Sequence, residues 1–339
     1  MPKLSNARFW TVLGSSLVLI VIVAYLSVTN GTFDLSVLDV CKTLLRIDPL
    51  PEHDLVVFEF RLPRLVLGAL IGCALGTAGA VIQGVTRNGL ADPGILGINA
   101  GAGMAVVLFM FLFQGVLSTT SWWSVLSMPL FGLIGGLIAT AVIYLFATQN
   151  GRLDAQRLIL VGIAIASGFG AITMYLSLKM NPRDFEMAVV WLSGSIHSAN
   201  WKFVVMMLPW FLLVPVIWFR SHILDLFQME RDSVRGLGVS VERETNILLL
   251  CSIGLVSASV AVSGSIGFVG LIAPHLARRL IGWQHRQIIP ISGVIGMAIV
   301  MSGDLIGRSV FAPAELAVGI VISIIGVPYY VYLLMRTKK

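Results

Sequence analysis

Long apolar runs alternate along this chain with short clusters of charge and turn-forming residues. Uncharged stretches near 9–29, 65–84, 94–113, 125–147 and 158–178 are each long enough to span a bilayer, and 203–219, 246–263, 266–282, 288–307 and 316–334 follow in the second half. A spanning helix needs about 20 predominantly apolar residues. The pattern therefore predicts an all-α polytopic membrane protein with ten spans, a single transmembrane domain over 1–339, and both termini on one side. The stretch 266–282 differs from the others, because Pro274, His275, Arg278 and Arg279 crowd its end. The first run has a long apolar core and no small-residue cleavage site after it, so it is read as a retained helix.

Glycine is placed regularly within these runs. Gly68, Gly72 and Gly76 recur every four residues, with Gly79 close behind, and leave one face of the second span almost bare. Gly303 and Gly307 form a second such pair. Lipid supplies no hydrophobic drive between helices, so bare faces of this kind are expected to serve close packing. Trp10, Trp122, Trp123, Trp201, Trp218 and Trp283 fall at predicted span ends, where an amphipathic ring suits the headgroup layer.

Composition agrees with the pattern. Of 339 residues, 57% are hydrophobic and 12% charged, and the mean hydropathy is +0.92. Net charge is +6, but the basic residues punctuate apolar runs and form no patch with interleaved aromatics, so no nucleic-acid partner is expected. With the amino terminus placed in the cytoplasm, fifteen of the 23 Lys and Arg fall in inside segments. The outer segments keep Lys42, Arg46, Arg61, Arg64, Lys179, Arg183, Lys202 and Arg308, together with most of the acids, Asp34 to Glu59 among them. That bias predicts cytoplasmic termini in a multi-pass cell-membrane protein.

Little enzymatic chemistry can be read here. The chain has no GxxxxGK[ST], HExxH or GxSxG motif, and its three cysteines and five histidines show no ligand spacing. No bound cofactor or metal is expected, and if the protein works on a solute, the energy must come from a partner subunit or an ion gradient. Asp304 and Glu315 are the acids nearest a span, both close to its outer end, where capping a helix or pairing with Arg308 accounts for them. An ion-coupled carrier, and an intramembrane enzyme using His275 or Asp304, are the rival classes.

Two blocks carry a family resemblance. Residues 61–103, RLPRLVLGALIGCALGTAGAVIQGVTRNGLADPGILGINAGAG, resemble the signature of ABC-importer permeases for ferric siderophores and cobalamin. Residues 264–335 do the same, with GSIGFVGLIAPHLARRLIG and then SGDLIGRSVFAPAELAVGIVISIIGVPYYVYLLMR. The resemblance implies a type II ABC-importer permease fold of ten helices and a dimer with an identical or related permease. It also implies two cytoplasmic ATP-binding subunits that use ATP and Mg, and an external binding protein delivering a metal chelate. A ferric siderophore is the expected cargo, with haem or cobalamin as the alternative.

The resemblance also implies roles for particular residues. Arg61, Arg64 and Arg308 match the arginines that receive carboxylates from the binding protein. In Met229–Val239, Glu230, Asp232, Arg235, Gly236 and Gly238 match a short helical hairpin that seats in the ATPase. Glu230 stands there for a usual glycine and Arg231 for a usual acid. Asn88 and Leu90 match positions that narrow the inner mouth of the path, and Gly89 replaces a common proline. Asn88-Gly89 and Asp92-Pro93-Gly94 are turn-formers in their own right.

Overall fold

The computed structural model describes residues 6–30, 35–47, 50–113, 122–149, 152–153, 155–312 and 314–336. The chain opens with α1 (Asn6–Thr29) and a short α2 (Val37–Leu44), the latter started by a reciprocal Ser36–Asp39 capping box. Next comes one continuous 36-residue rod, Pro51–Thr86, made of α3 (Pro51–Asp54), a π-helical segment (Leu55–Arg61) and α4 (Leu62–Thr86). Pro63 has no N–H to give the preceding turn, and the ladder there re-spaces to the wider π pattern. At about 1.5 Å per residue the rod is roughly 54 Å long and overshoots the hydrocarbon layer.

A 3₁₀ turn (Pro93–Leu96) leads into α5 (Ile98–Leu112), followed by α6 (Trp122–Ala147). A two-stranded antiparallel hairpin, β1 (Thr148–Gln149) with β2 (Arg152–Leu153), pairs Thr148 with Leu153. Then come α7 (Ala155–Leu178), α8 (Pro182–Leu192), and a rod of α9 (Trp201–Met207) and α10 (Leu213–Phe219) joined by a 3₁₀ turn at Pro209. The short α11 (Ser221–Leu226) and α12 (Arg231–Gly236) precede α13 (Val241–Ser263), α14 (Val269–Ile281), α15 (His285–Ser309) and α16 (Val318–Arg336).

Eight of these helices, among the described residues, are long and apolar enough to cross a membrane. The other two predicted spans are shorter than expected. The stretch 94–113 yields the 15 residues of α5, and 266–282 yields the 13 residues of α14. Thirteen residues reach about 20 Å, short of the roughly 30 Å core. The shortening has a backbone cause: Gly264 and Phe268 both hold positive φ, of 69° and 65°, and keep 264–268 out of the helix. Such irregular backbone is tolerated at depth when it is packed in protein, and here Gly264 lies against the Trp191 carbonyl. Helix α8 was not foreseen, because Arg183, Asp184 and Glu186 interrupt its apolar face.

The core is built on α4, α13 and α15, which bury most of their apolar length, whereas α1, α7 and the α9–α10 rod bury little. Gly72 and Gly76 lie where two helix backbones approach closely. A Cβ at Gly72 would strike the Gly296 carbonyl of α15, and one at Gly76 the Ser292 carbonyl. Gly79 makes the equivalent approach to Gly270 of α14. Gly68 is looser, where a Cβ would meet the Ile196 side chain at 3.2 Å. Gly303 and Gly307 face α16 and its approach, against Val318, Ile322 and the Leu316 carbonyl.

Candidate functional site

Polar contacts collect at the two ends of the bundle. At the first end, Arg64 in the opening turn of α4 meets Asp304 near the end of α15. Arg64 Nε lies 2.9 and 3.1 Å from the two Asp304 oxygens, and Nη2 lies 2.7 Å from Oδ1. Arg64 Nη1 also donates to Glu315 Oε2 at 2.9 Å, and that oxygen lies 2.8 Å from His197 Nδ1. Side-chain exposure climbs along this series: Asp304 4%, Arg64 15%, Glu315 32%, His197 64%. The four groups form a ladder from the interior to the surface. Partial burial raises the Glu315 carboxyl, but the Arg64 guanidinium and the His197 ring together outweigh that and hold it below the usual range.

Arg308 lies one turn beyond Asp304, with Nε 4.0 Å from Asp304 Oδ2. Its Nη2 donates to Ser27 Oγ at 2.5 Å and to the Ser27 carbonyl. Arg61 is buried and donates to the Val28 carbonyl. Ser27 and Val28 close α1, where the last carbonyls lack helical partners, so Arg61 and Arg308 cap its negative end. The three arginines matched to docking are thus close together, but none offers an unengaged guanidinium at the surface. Asp304 was expected to cap or pair with Arg308; its main partner is Arg64.

The opposite end carries the loops. Arg87 ends α4 in the left-handed conformation, φ 53°, and donates to the Met229 carbonyl at 2.7 Å. Asn88 Oδ1 accepts from Leu90 N at 3.0 Å, and Asp92 Oδ1 from Gly94 N at 2.6 Å, so both turn-formers close their own turns. Burial pushes the Asp92 carboxyl up, against the backbone donors that favour its charge. Asn88 is exposed, and Leu90 packs on Leu271, Ile272 and Leu333. Gln83 Nε2 reaches the Ala91 carbonyl at 3.1 Å, while Arg278 donates to Gln83 Oε1 and approaches the Gly89 carbonyl at 3.4 Å. Gln83 and Arg278 were missed as a pair, although a glutamine inside an apolar span is itself a signal. His275 lies within α14, after Pro274, edge-on to Tyr329 at 5.9 Å.

The hairpin of α11 and α12 stands on the same end. Leu224, Phe227 and Val234 are buried and anchor it, and Asp225 accepts from the His285 backbone at 3.0 Å, tying α11 to the start of α15. Arg235 bonds Asp232 at 3.2 Å and also Glu242. Glu230, Asp232, Gly236 and Gly238 are exposed, as are Met229 and Leu237. Gly238 holds φ 81° with open space around it. The resulting surface is short, rigidly held and exposed.

A densely packed helical bundle with eight long apolar helices among the described residues, an ionic ladder at one end and a braced hairpin at the other defines a multi-pass membrane protein. The chain belongs to the FecCD transport family, whose profile matches residues 18–336. It is 54% identical to the iron-uptake system permease protein FeuC of Bacillus subtilis (strain 168), covering 95% of this chain and 96% of that one. It is 42% identical to the iron(3+)-hydroxamate import system permease protein FhuG of the same organism, covering 96% and 97%. Among solved structures, a metal-chelate type ABC transporter in an inward-facing conformation matches with a TM-score of 0.80 at 28% identity, covering 96% of this chain and 99% of that one.

Proposed function

We propose that this chain is the membrane permease subunit of an ATP-driven importer that takes ferric siderophores from an external binding protein into the cytoplasm. The observation that carries the reading is the division of labour between the two ends. The cluster of Arg61, Arg64 and Arg308 at one end suits a partner that presents carboxylates. A rigid exposed hairpin at the other suits a motor subunit that must push on something stiff. In this reading Arg61, Arg64 and Arg308 face outside, and the hairpin residues Glu230, Asp232, Arg235, Gly236 and Gly238 meet the ATPase. Asn88 and Leu90 narrow the inner mouth. A second permease, identical or related, completes the path, and two cytoplasmic subunits bind ATP and Mg. Both termini lie in the cytoplasm.

The names of the relatives support the cargo class, iron(3+)-hydroxamate for one and iron uptake for another. A hemin transport permease of Yersinia pestis at 33% identity keeps haem as the second reading. The test is uptake of ⁵⁵Fe-labelled siderophore, with labelled hemin alongside, in cells that depend on the full system. Siderophore uptake that needs ATP and survives an uncoupler supports the proposal. Uptake of hemin alone moves the cargo to haem, and collapse with the uncoupler returns the chain to the ion-coupled class.

A further inference from the structure

A cavity of about 200 Å³ opens at the hairpin end between the last turn of α4, the first turns of α7 and α13, and the α11–α12 hairpin. Arg87 and Arg231 stand on its wall with the hydroxyl-bearing Thr86 and Thr245, and Phe227 and Leu158 give it an apolar floor. No carboxylate lines it among the described residues. The acids of the first turn of α13 are already engaged, Glu242 with Arg235 and Glu244 with Arg220. Arg87 uses one nitrogen on the Met229 carbonyl, and Arg231 is exposed with no ion pair among the described residues.

Two arginines on one small cavity, with no counter-charge among the described residues, call for an anion. The guanidinium fork fits phosphate oxygens in pairs. The cavity is formed where three apolar helices end, which is the depth of the headgroups. Basic pockets between spans are suited to phospholipid headgroups. A free phosphate would satisfy the arginines but leave the floor of Phe227 and Leu158 against water. A lipid would satisfy both, with its phosphate on the arginines and its first carbons on the floor. Arg231 also stands where the resemblance expects an acid, and an acid would repel this ligand.

We propose that Arg87 and Arg231 hold the phosphate of an anionic phospholipid, so that the bilayer itself braces the hairpin. The assignment does not depend on the cargo. The test is binding of phosphatidylglycerol and of phosphatidylcholine to the purified full chain in mild detergent, followed by native mass spectrometry. Arg231→Gln, which breaks no ion pair among the described residues, should weaken phosphatidylglycerol binding about fivefold. Arg231→Glu should weaken it further, with phosphatidylcholine unchanged in both. Arg243→Gln, an exposed arginine at the same helix end but outside the cavity, should leave binding as in wild type.

Equal phosphatidylglycerol binding in wild type and both Arg231 variants overturns the proposal, as does an equal loss in Arg243→Gln. Displacement by millimolar inorganic phosphate at constant ionic strength makes free phosphate the ligand and also overturns it. Loss of the lipid when the ATPase subunits assemble shows that a protein carboxylate is the occupant, with the same consequence.

Discussion

Arg64 and Asp304, 240 residues apart in sequence, form a bidentate ion pair at one end of the bundle, with Nε and Nη2 of the arginine 2.7–3.1 Å from the carboxylate. The pair fastens the start of α4 to the end of α15. Removing one partner leaves a buried charge uncompensated, at a cost of about 3–5 kcal/mol. Asp304→Asn and Arg64→Ala should each lower thermal stability in detergent by an amount of that order. The double variant Arg64→Met, Asp304→Leu should recover most of it. A double variant as unstable as the sum of the two singles would show that the groups act separately.

Glu315, the more exposed of the two carboxylates on Arg64, occupies its Nη1. An incoming carboxylate must displace it, so Glu315→Gln should tighten association with an acidic binding protein. The expected gain is two- to fivefold, the scale of one exposed ion pair worth at most about 1 kcal/mol. Surface plasmon resonance at two salt concentrations would measure it. Weaker binding would mean that Glu315 helps to present Arg64.

The depressed Glu315 carboxyl fixes a pH dependence. A carboxyl held below its unfolded value stabilises the protein above that value and loses the contribution as pH falls through the folded one. Glu315→Gln should therefore melt below wild type at pH 7, and the difference should vanish as pH drops below about 4. A constant difference down to pH 3 would assign the effect to shape and not charge.

Bare glycine faces separate packing positions from free ones. Gly76→Val would drive a side chain into the Ser292 carbonyl, whereas Gly14 in α1 has nothing within 4 Å of its Cβ position. Overpacking of this kind costs about 1–3 kcal/mol and sometimes more. Gly76→Val should lose most monodisperse protein by size-exclusion chromatography and Gly14→Val very little. Equal yields would contradict the contact.

The hairpin offers a backbone test. Gly238 has φ 81° in open space, so Gly238→Ala costs only the left-handed conformation, about 1–2 kcal/mol. Gly236 is helical and equally open, so Gly236→Ala should be neutral or slightly stabilising. Uptake per ATP hydrolysed should fall for the first variant and hold for the second. The reverse order would remove Gly238 from coupling.

The sequence made the spans legible because uncharged apolar runs are long and bounded by charge. The Gly72–Gly76 face was legible because its period is that of a helix. Partners across the fold were not. Nothing in 61–64 announces that Arg64 would meet Asp304, since the two come together only when α4 packs on α15. Arg61 and Arg308 both reach backbone carbonyls at the end of α1, and a carbonyl carries no residue-type signal. Helix α8 escaped because its 11 residues are too few and too charged for a span criterion. The shortness of α14 depends on positive φ at Phe268, a conformation the residue type disfavours.

The backbone contact between α4 and α15 has a mechanical consequence. Each helix carries a residue of the ionic ladder at one end, and at the other each is tied to the hairpin, α4 through Arg87 and α15 through His285. Carbonyls seated against glycines at Gly72–Gly296 and Gly76–Ser292 leave no side-chain layer to shear. The two helices are therefore a single strut of 25 residues each, about 37 Å from end to end. A load applied at either face of the membrane is delivered to the other as displacement of the whole strut and is not dissipated by sliding within it.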